Sequence, residues 1–345
     1  MKWGFHIMAG HMVKGRRLDG KTASRPYMSS SDTVSFGSAR RIIDDKVRPL
    51  KAEPKPPWLR RRIPSSGRNA SVLAAIKEGG LHTVCEEAHC PNQLECFSRG
   101  TATFLLLGPS CTRRCTFCAV DKSPVHPPNP NEPLRTAQAV ARMELTFCVL
   151  TMVTRDDLLD GGAGHIARTI LTIKRECKSI GVETLISDLG GAWDALLTLF
   201  AAGPDVLNHN LETVPRLYSQ VRPQANYGRS LELLTRASEY LPHMVIKSGL
   251  MLGLGETREE LLKAMDDLRG AGCELLTLGQ YLAPSPKHYP VVRYVPPEEF
   301  QKYEAEALDR GFLGVASAPL VRSSYNAEQL YLYVRDRTKN ASDQK

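Results

Sequence analysis

Beyond residue 100 the apolar positions alternate between two spacings. Short, nearly continuous apolar runs occur at Ala102–Leu107, Thr146–Met152, Val182–Ile186, Val206–Leu211, Met244–Met251 and Glu274–Leu278. Runs of that length, bounded by polar or glycine-containing segments, predict buried strands. Between them apolar residues recur three and four apart, as in Leu261, Leu262, Met265 and Leu268. That period predicts helices at Thr136–Arg142, Gly164–Ser179, Ala192–Ala201, Ser230–Glu239 and Arg258–Gly270. Strands and helices in strict alternation imply an α/β fold with a parallel sheet and helices outside it. Six such units suit either an open sheet or a partial barrel.

The first third of the chain reads differently. Residues 1–65 are rich in Ser, Arg and Pro and have no sustained period, so an irregular extension is expected. A short helix is predicted over Ser71–Glu78, ended by Gly79-Gly80. The expected divisions are 1–65, a cysteine-rich segment 66–99, an alternating body 100–310 and a C-terminal segment 311–345.

Charge follows the same division. Residues 1–62 carry 15 Lys/Arg against 5 Asp/Glu, whereas the remainder carries 30 against 32. The net +8 therefore belongs to the extension, and the body has no footprint for a nucleic-acid partner. The extension is expected to be a solvated tail, or an arm that docks an acidic partner. Its start weakly resembles an organellar transit segment, with an early start site and Met28 as the true start as the alternative. No run approaches the roughly 18 apolar residues of a membrane span.

Nine cysteines stand at 85, 90, 96, 111, 115, 118, 148, 177 and 273, six of them within 34 residues. An odd, clustered set without a secretion signal points to metal in a reducing compartment. Cys111, Cys115 and Cys118 form C-x3-C-x2-C directly after the first predicted strand, where parallel α/β folds place their chemistry. Three thiolates in one tight loop suit three irons of a four-iron cluster and leave the fourth iron open. Zinc would ask for a fourth protein ligand. Arg113 and Arg114 either offset cluster charge or are solvated loop cations. Cys85, Cys90 and Cys96 form C-x4-C-x5-C with Pro91 after Cys90, which suits a loop wrapped around metal. Cys148 is expected in the core, and Cys177 and Cys273 lack ligand spacing.

The Cys115-Thr116-Phe117-Cys118 ending, with an aromatic before the last cysteine, resembles the radical SAM superfamily. The resemblance implies a partial (β/α)6 barrel of the TIM type. It further implies that S-adenosyl-L-methionine chelates the open iron and is cleaved by one electron to a 5′-deoxyadenosyl radical, which abstracts hydrogen from an unactivated carbon. The segment Gly253-Leu254-Gly255-Glu256-Thr257 resembles the family's glycine-rich element near the methionine moiety, with Gly253, Gly255 and Glu256 as expected cofactor contacts. Two glycines and a Thr257 N-cap opening the next helix are the plainer alternative. Arg155 after the second strand and Asn210, with Glu212, at the end of the fourth are further expected contacts.

A more specific resemblance covers residues 57 to 330. Cys85-Glu86-Glu87-Ala88-His89-Cys90-Pro91-Asn92, Asn208-His209-Asn210-Leu211-Glu212-Thr213, Gly279-Gln280-Tyr281-Leu282 and Arg322-Ser323-Ser324-Tyr325 are similar to the lipoyl synthase family. The resemblance implies a second, auxiliary [4Fe-4S] cluster on Cys85, Cys90 and Cys96, with Ser324 as fourth ligand. A serine oxygen is a harder and more easily displaced donor than thiolate, which suits a cluster consumed as the sulfur source. The implied reaction inserts sulfur at C6 and C8 of an octanoyl chain on a lysine of a lipoyl carrier domain, E2 or glycine-cleavage H protein. Ferredoxin or flavodoxin is the implied electron donor, and a cytoplasmic monomer is expected, with the mitochondrial matrix or plastid as the alternative. Rival readings are a biotin synthase-like enzyme or methylthiotransferase, and a zinc-stabilised binding protein. Leu159, Leu189 and Asn326 stand where the family commonly has proline, an aromatic and histidine.

Overall fold

The computed structural model describes residues 55–60, 67–241 and 244–342. Most of the basic extension, including its transit-like start and Met28, lies outside the described residues. Within it, Pro57–Leu59 form one 3-10 turn.

One sheet runs β1 to β8 in chain order. The strands are β1 (His82–Thr83), β2 (Thr103–Leu106), β3 (Phe147–Met152), β4 (Gly181–Leu185), β5 (Val206–Asn208), β6 (Val245–Leu252), β7 (Leu275–Gln280) and β8 (Gly314–Ser317). β1 pairs antiparallel with β2, and every later neighbour pair is parallel. The six predicted strands are β2 to β7. β8 is a seventh parallel strand inside the expected C-terminal segment; at four residues with a leading glycine it is too short to carry a period.

The helices are α1 (Asn69–Gly79), α2 (Val84–Glu87), α3 (Gln93–Ser98), α4 (Glu132–Arg142), α5 (Ala163–Glu176), α6 (Trp193–Ala201), α7 (Tyr218–Val221), α8 (Tyr227–Tyr240), α9 (Arg258–Gly270), α10 (Pro297–Asp309) and α11 (Ala327–Ser342). Local chemistry sets their ends. α1 stops where Gly80 turns left-handed and returns its N–H to Ile76 and Lys77. α9 begins on the expected Thr257 cap: Thr257 accepts from the Glu260 N–H while Glu260 accepts from the Thr257 N–H. α5 buries His165, Ile166, Thr169, Ile170 and Ile173, the stripe that a helix lays on a sheet. All residues of β2, β3 and β7 are buried, as strands covered on both faces must be.

α11 does what no spacing announced. Its Ala327 and Val334 join Phe147, Val149, Val206, Val245 and Leu275 in one apolar cluster. Phe147, Val206, Val245 and Leu275 are each the first residue of their strand. The C-terminal helix therefore seals the end of the barrel where the strands begin. Thr146 donates to Glu328 at 2.6 Å, and the Phe147 and Tyr331 rings lie 5.4 Å apart. Burying Val334 completely contributes about 1.5–3 kcal/mol. The turn before α11 carries Ser323 and Ser324.

Candidate active site and cluster-binding cavity

The barrel encloses a cavity of about 800 Å³ that reaches down to Phe147, Val149 and Ala327 of that seal. All six clustered cysteines line it, and so do Ser323 and Ser324. Residues more than 200 positions apart thus share one wall, and all six thiols are free.

The first triplet is presented by two short helices rather than by a plain loop. Thr83 caps α2 by accepting from the Glu86 N–H, which places Cys85 inside the helix. α2 ends at Glu87, His89 turns left-handed at φ +50°, and α3 starts after Pro91 to carry Cys96. The C-terminal turn is fastened to this segment at three points. Buried Asn92 donates to the Leu320 carbonyl at 2.7 Å, the Tyr325 hydroxyl to Glu95 at 2.9 Å, and Arg99 to the Asn326 side chain at 3.1 Å. Those bonds hold the serine-bearing turn to the segment of the first triplet, and Ser324 lines the same cavity as Cys85, Cys90 and Cys96. Gly279 on β7 permits the approach: a Cβ there would lie 2.1 Å from the Val321 carbonyl oxygen.

The second triplet hangs from the end of β2. Its loop is tied on several sides: Thr112 donates to the Thr154 carbonyl, Thr116 to Gln220 and Val221, and Tyr289 to the Thr116 carbonyl. Arg113 and Arg114 part ways. Arg114 is exposed, whereas Arg113 turns inward onto Asp156 and Asp188. Burial works against the Asp188 charge, yet Arg113 and Arg229 beside it bring its pKa down to about 2.

Burial pushes the Cys85 thiol up to about 12 and Cys118 to about 11. Left alone they stay protonated at neutral pH; a metal ion displaces such protons and makes thiolates of them. Among the described residues no three His, Cys, Asp or Glu side chains converge on one ion. A four-iron cluster does not ask for that, because its thiolates bind separate irons.

Asn210 and Arg222 line the cavity, and each has one buried polar atom without a partner among the described residues, Asn210 Oδ1 and Arg222 Nε. A buried acceptor and donor left open cost about 1–3 kcal/mol each unless a ligand meets them. Glu212 stands with them at φ +67°, a region that bulky residues avoid. Its N–H donates to the Gly249 carbonyl and its own carbonyl accepts from Met251, which holds the strain. Burial raises its carboxyl pKa against the opposing Arg222 charge. Asn210, Glu212 and Arg222 all line the cavity, and an amide, a carboxyl group and a guanidinium are a donor set that fits a zwitterionic ligand with hydroxyls such as S-adenosyl-L-methionine. Arg222 carries no sequence signal: it follows a four-residue helix and belongs to no period.

Other expected contacts sit elsewhere. Arg155 is not on the cavity wall. Its guanidinium is bidentate on Asp157, and its Nη1 donates to the Leu107 carbonyl at 3.3 Å. Gly253, Gly255 and Glu256 also lie off the wall. A Cβ on Gly253 would lie 2.3 Å from Gln280 Nε2 and 2.4 Å from the Arg293 carbonyl, so its close approach is to protein. Glu256 accepts from the N–H groups of Gly253 and Leu254 and closes the loop on itself. Leu159 is fully exposed, and Leu189 is buried under Gly161. Lys247 is buried, with both Glu183 oxygens at 2.9 Å.

Barrel, cysteine loop and open cavity together define a radical SAM enzyme, and residues 105–268 match the Radical SAM superfamily. The FeFe-hydrogenase maturase HydG from Carboxydothermus hydrogenoformans shares the fold, with a TM-score of 0.50 at 15% identity over 77% of this chain and 68% of that one. Within that class the chain belongs to the lipoyl synthase family. It is 54% identical to the lipoyl synthase of Methylococcus capsulatus over 81% of this chain and 89% of the relative. It is 52% identical to that of Alkaliphilus metalliredigens over 80% and 95%.

Proposed function

We propose that this chain inserts two sulfur atoms, at C6 and C8, into an octanoyl chain amide-linked to a lysine of a lipoyl carrier domain. The observation that carries the reading is the meeting of Cys85, Cys90, Cys96 and Ser324 with Cys111, Cys115 and Cys118 around one cavity. Cys111, Cys115 and Cys118 would hold the cluster whose open iron takes S-adenosyl-L-methionine, supplying a carbon radical able to take hydrogen from C–H bonds. Asn210, Glu212 and Arg222 would bind and orient the cofactor. Cys85, Cys90, Cys96 and Ser324 would hold the auxiliary cluster that is the sulfur source, with Ser324 as its displaceable corner. At each carbon one hydrogen leaves and one carbon–sulfur bond takes its place. The apolar wall, Leu105, Val149 and Leu185 among it, keeps water from the reacting carbons. Ferredoxin or flavodoxin would supply the electrons, and the enzyme would act as a monomer.

The test is anaerobic reconstitution of the full chain with an octanoyl-lysine peptide, S-adenosyl-L-methionine and a reductant. About eight irons per chain are expected for two four-iron clusters, with a mass gain of two sulfurs in the peptide. That gain should vanish in Cys85→Ala and Ser324→Ala. Lipoyl product from Cys85→Ala would overturn the sulfur-source assignment.

A further inference from the structure

We propose that Arg113 is a positioning residue that sets the C-x3-C-x2-C loop in place and lends no charge to the cluster beside it. The inference rests on the cluster assignment above. Arg113 lies between Cys111 and Cys115, yet it is only 4% exposed and faces away from solvent. Its Nε and Nη2 donate to the two oxygens of Asp156 at 2.7 Å each, and Nη2 also donates to Asp188 Oδ1 at 2.6 Å. Asp156 follows β3 and Asp188 follows β4, so one guanidinium pins the loop from β2 to the ends of the next two strands.

The anchor is itself anchored. Asp188 is fully buried and accepts from the Gly190 N–H at 3.1 Å. Its second oxygen accepts from Arg229 Nε at 2.8 Å, and Arg229 comes from α8 on the far side. Two arginines and two carboxylates form a closed neutral set, so the Arg113 charge is met in full without the cluster. Bidentate geometry fixes direction as well as distance, which a lysine cannot reproduce. The loop fixes where the open iron stands, and hence where cofactor and substrate carbon must meet. A shift of about 1 Å there is enough to impair a reaction that depends on alignment.

The proposal separates position from charge, and so does its test. Arg113→Lys keeps the charge and loses the fork; Arg113→Gln loses both; Asp188→Asn leaves Arg113 intact and weakens its second arm. In the reconstituted full-length enzyme, Arg113→Lys should raise KM for S-adenosyl-L-methionine about tenfold, the worth of one charged hydrogen bond. It should also release more 5′-deoxyadenosine per sulfur inserted, and amide exchange of residues 111–118 should quicken in the cluster-free protein. Arg113→Gln combined with Asp156→Asn, which removes one cation and one anion and keeps the set neutral, should leave the midpoint potential of the cluster at the wild-type value. Asp188→Asn should reproduce the coupling defect in part, and it serves as the readout if the Arg113 variants do not fold. Unchanged KM and coupling in Arg113→Lys would overturn the proposal. So would a shifted potential in the charge-balanced double variant with coupling intact, since charge would then be the role.

Discussion

Tyr325 and Glu95 are joined by a hydrogen bond of 2.9 Å across 230 positions of chain, from the turn before the last helix to the helix that carries Cys96. The bond holds the serine-bearing turn to the first cysteine triplet by protein contacts alone. Tyr325→Phe and Glu95→Ala should each loosen residues 320–326, read as faster amide exchange there. In a double-mutant cycle the pair should couple by about 1 kcal/mol. Additive effects of the two substitutions would show that the bond does not hold the turn.

Gly279 gives a steric version of the same claim. Gly279→Ala places a methyl group against the Val321 carbonyl, which is backbone and cannot swing aside. The expected outcome is loss of sulfur insertion with S-adenosyl-L-methionine cleavage largely retained. Product analysis by mass spectrometry, with 5′-deoxyadenosine measured in parallel, checks it.

Beneath the cavity, Lys247 on β6 and Glu183 on β4 form a fully buried pair, and Asn208 donates to Glu183 at 2.8 Å. Removing one partner strands the other charge in the barrel. Lys247→Met or Glu183→Gln should destabilise the chain by about 3–5 kcal/mol, and the double replacement by apolar residues much less. Urea unfolding of the three variants separates these outcomes.

Acid should act first on His209. Burial, and then the Arg222 charge, push its pKa down to about 4. The unfolded residue titrates near 6.5, so between about 4 and 6.5 the unfolded chain binds a proton that the folded chain refuses. Stability is full above that window and falls through it as pH drops, by about 3 kcal/mol in all. Asp188, held down to about 2, loses its contribution only below the ordinary carboxylate range near 4. Unfolding midpoints measured from pH 7 to 4 should show the decline, and His209→Gln should flatten it.

Local features are legible in the residues themselves. The alternation of apolar runs marks six of the seven parallel strands, and Thr257 with Glu260 marks the start of α9 to the residue. The C-x3-C-x2-C spacing names the chemistry. Side-chain destinations are not legible in the same way. Arg155 follows a strand, where a cofactor contact is expected, and the fold adds that Asp157 and the Leu107 carbonyl hold its guanidinium. The pair of glycines at 253 and 255 reads as a ligand cradle, and the fold adds that Gln280 and the Arg293 carbonyl approach Gly253 from the protein side.

What the sequence determined by itself was whatever depends on residues near one another in the chain: element types, caps, the two cysteine triplets and the family they mark. Only the tertiary structure decided that α11 seals the barrel, that the turn carrying Ser324 lines the same cavity as the first triplet, that Arg113 is neutralised by Asp156 and Asp188, and that Asn210 and Arg222, which line the cavity, each keep a buried polar atom without a partner among the described residues. The physical reason is that a side chain is satisfied by whatever group the fold brings within about 3 Å. Sequence spacing sets that distance within a turn or a strand, whereas between β2 and residue 324 it is set by the packing of the whole barrel.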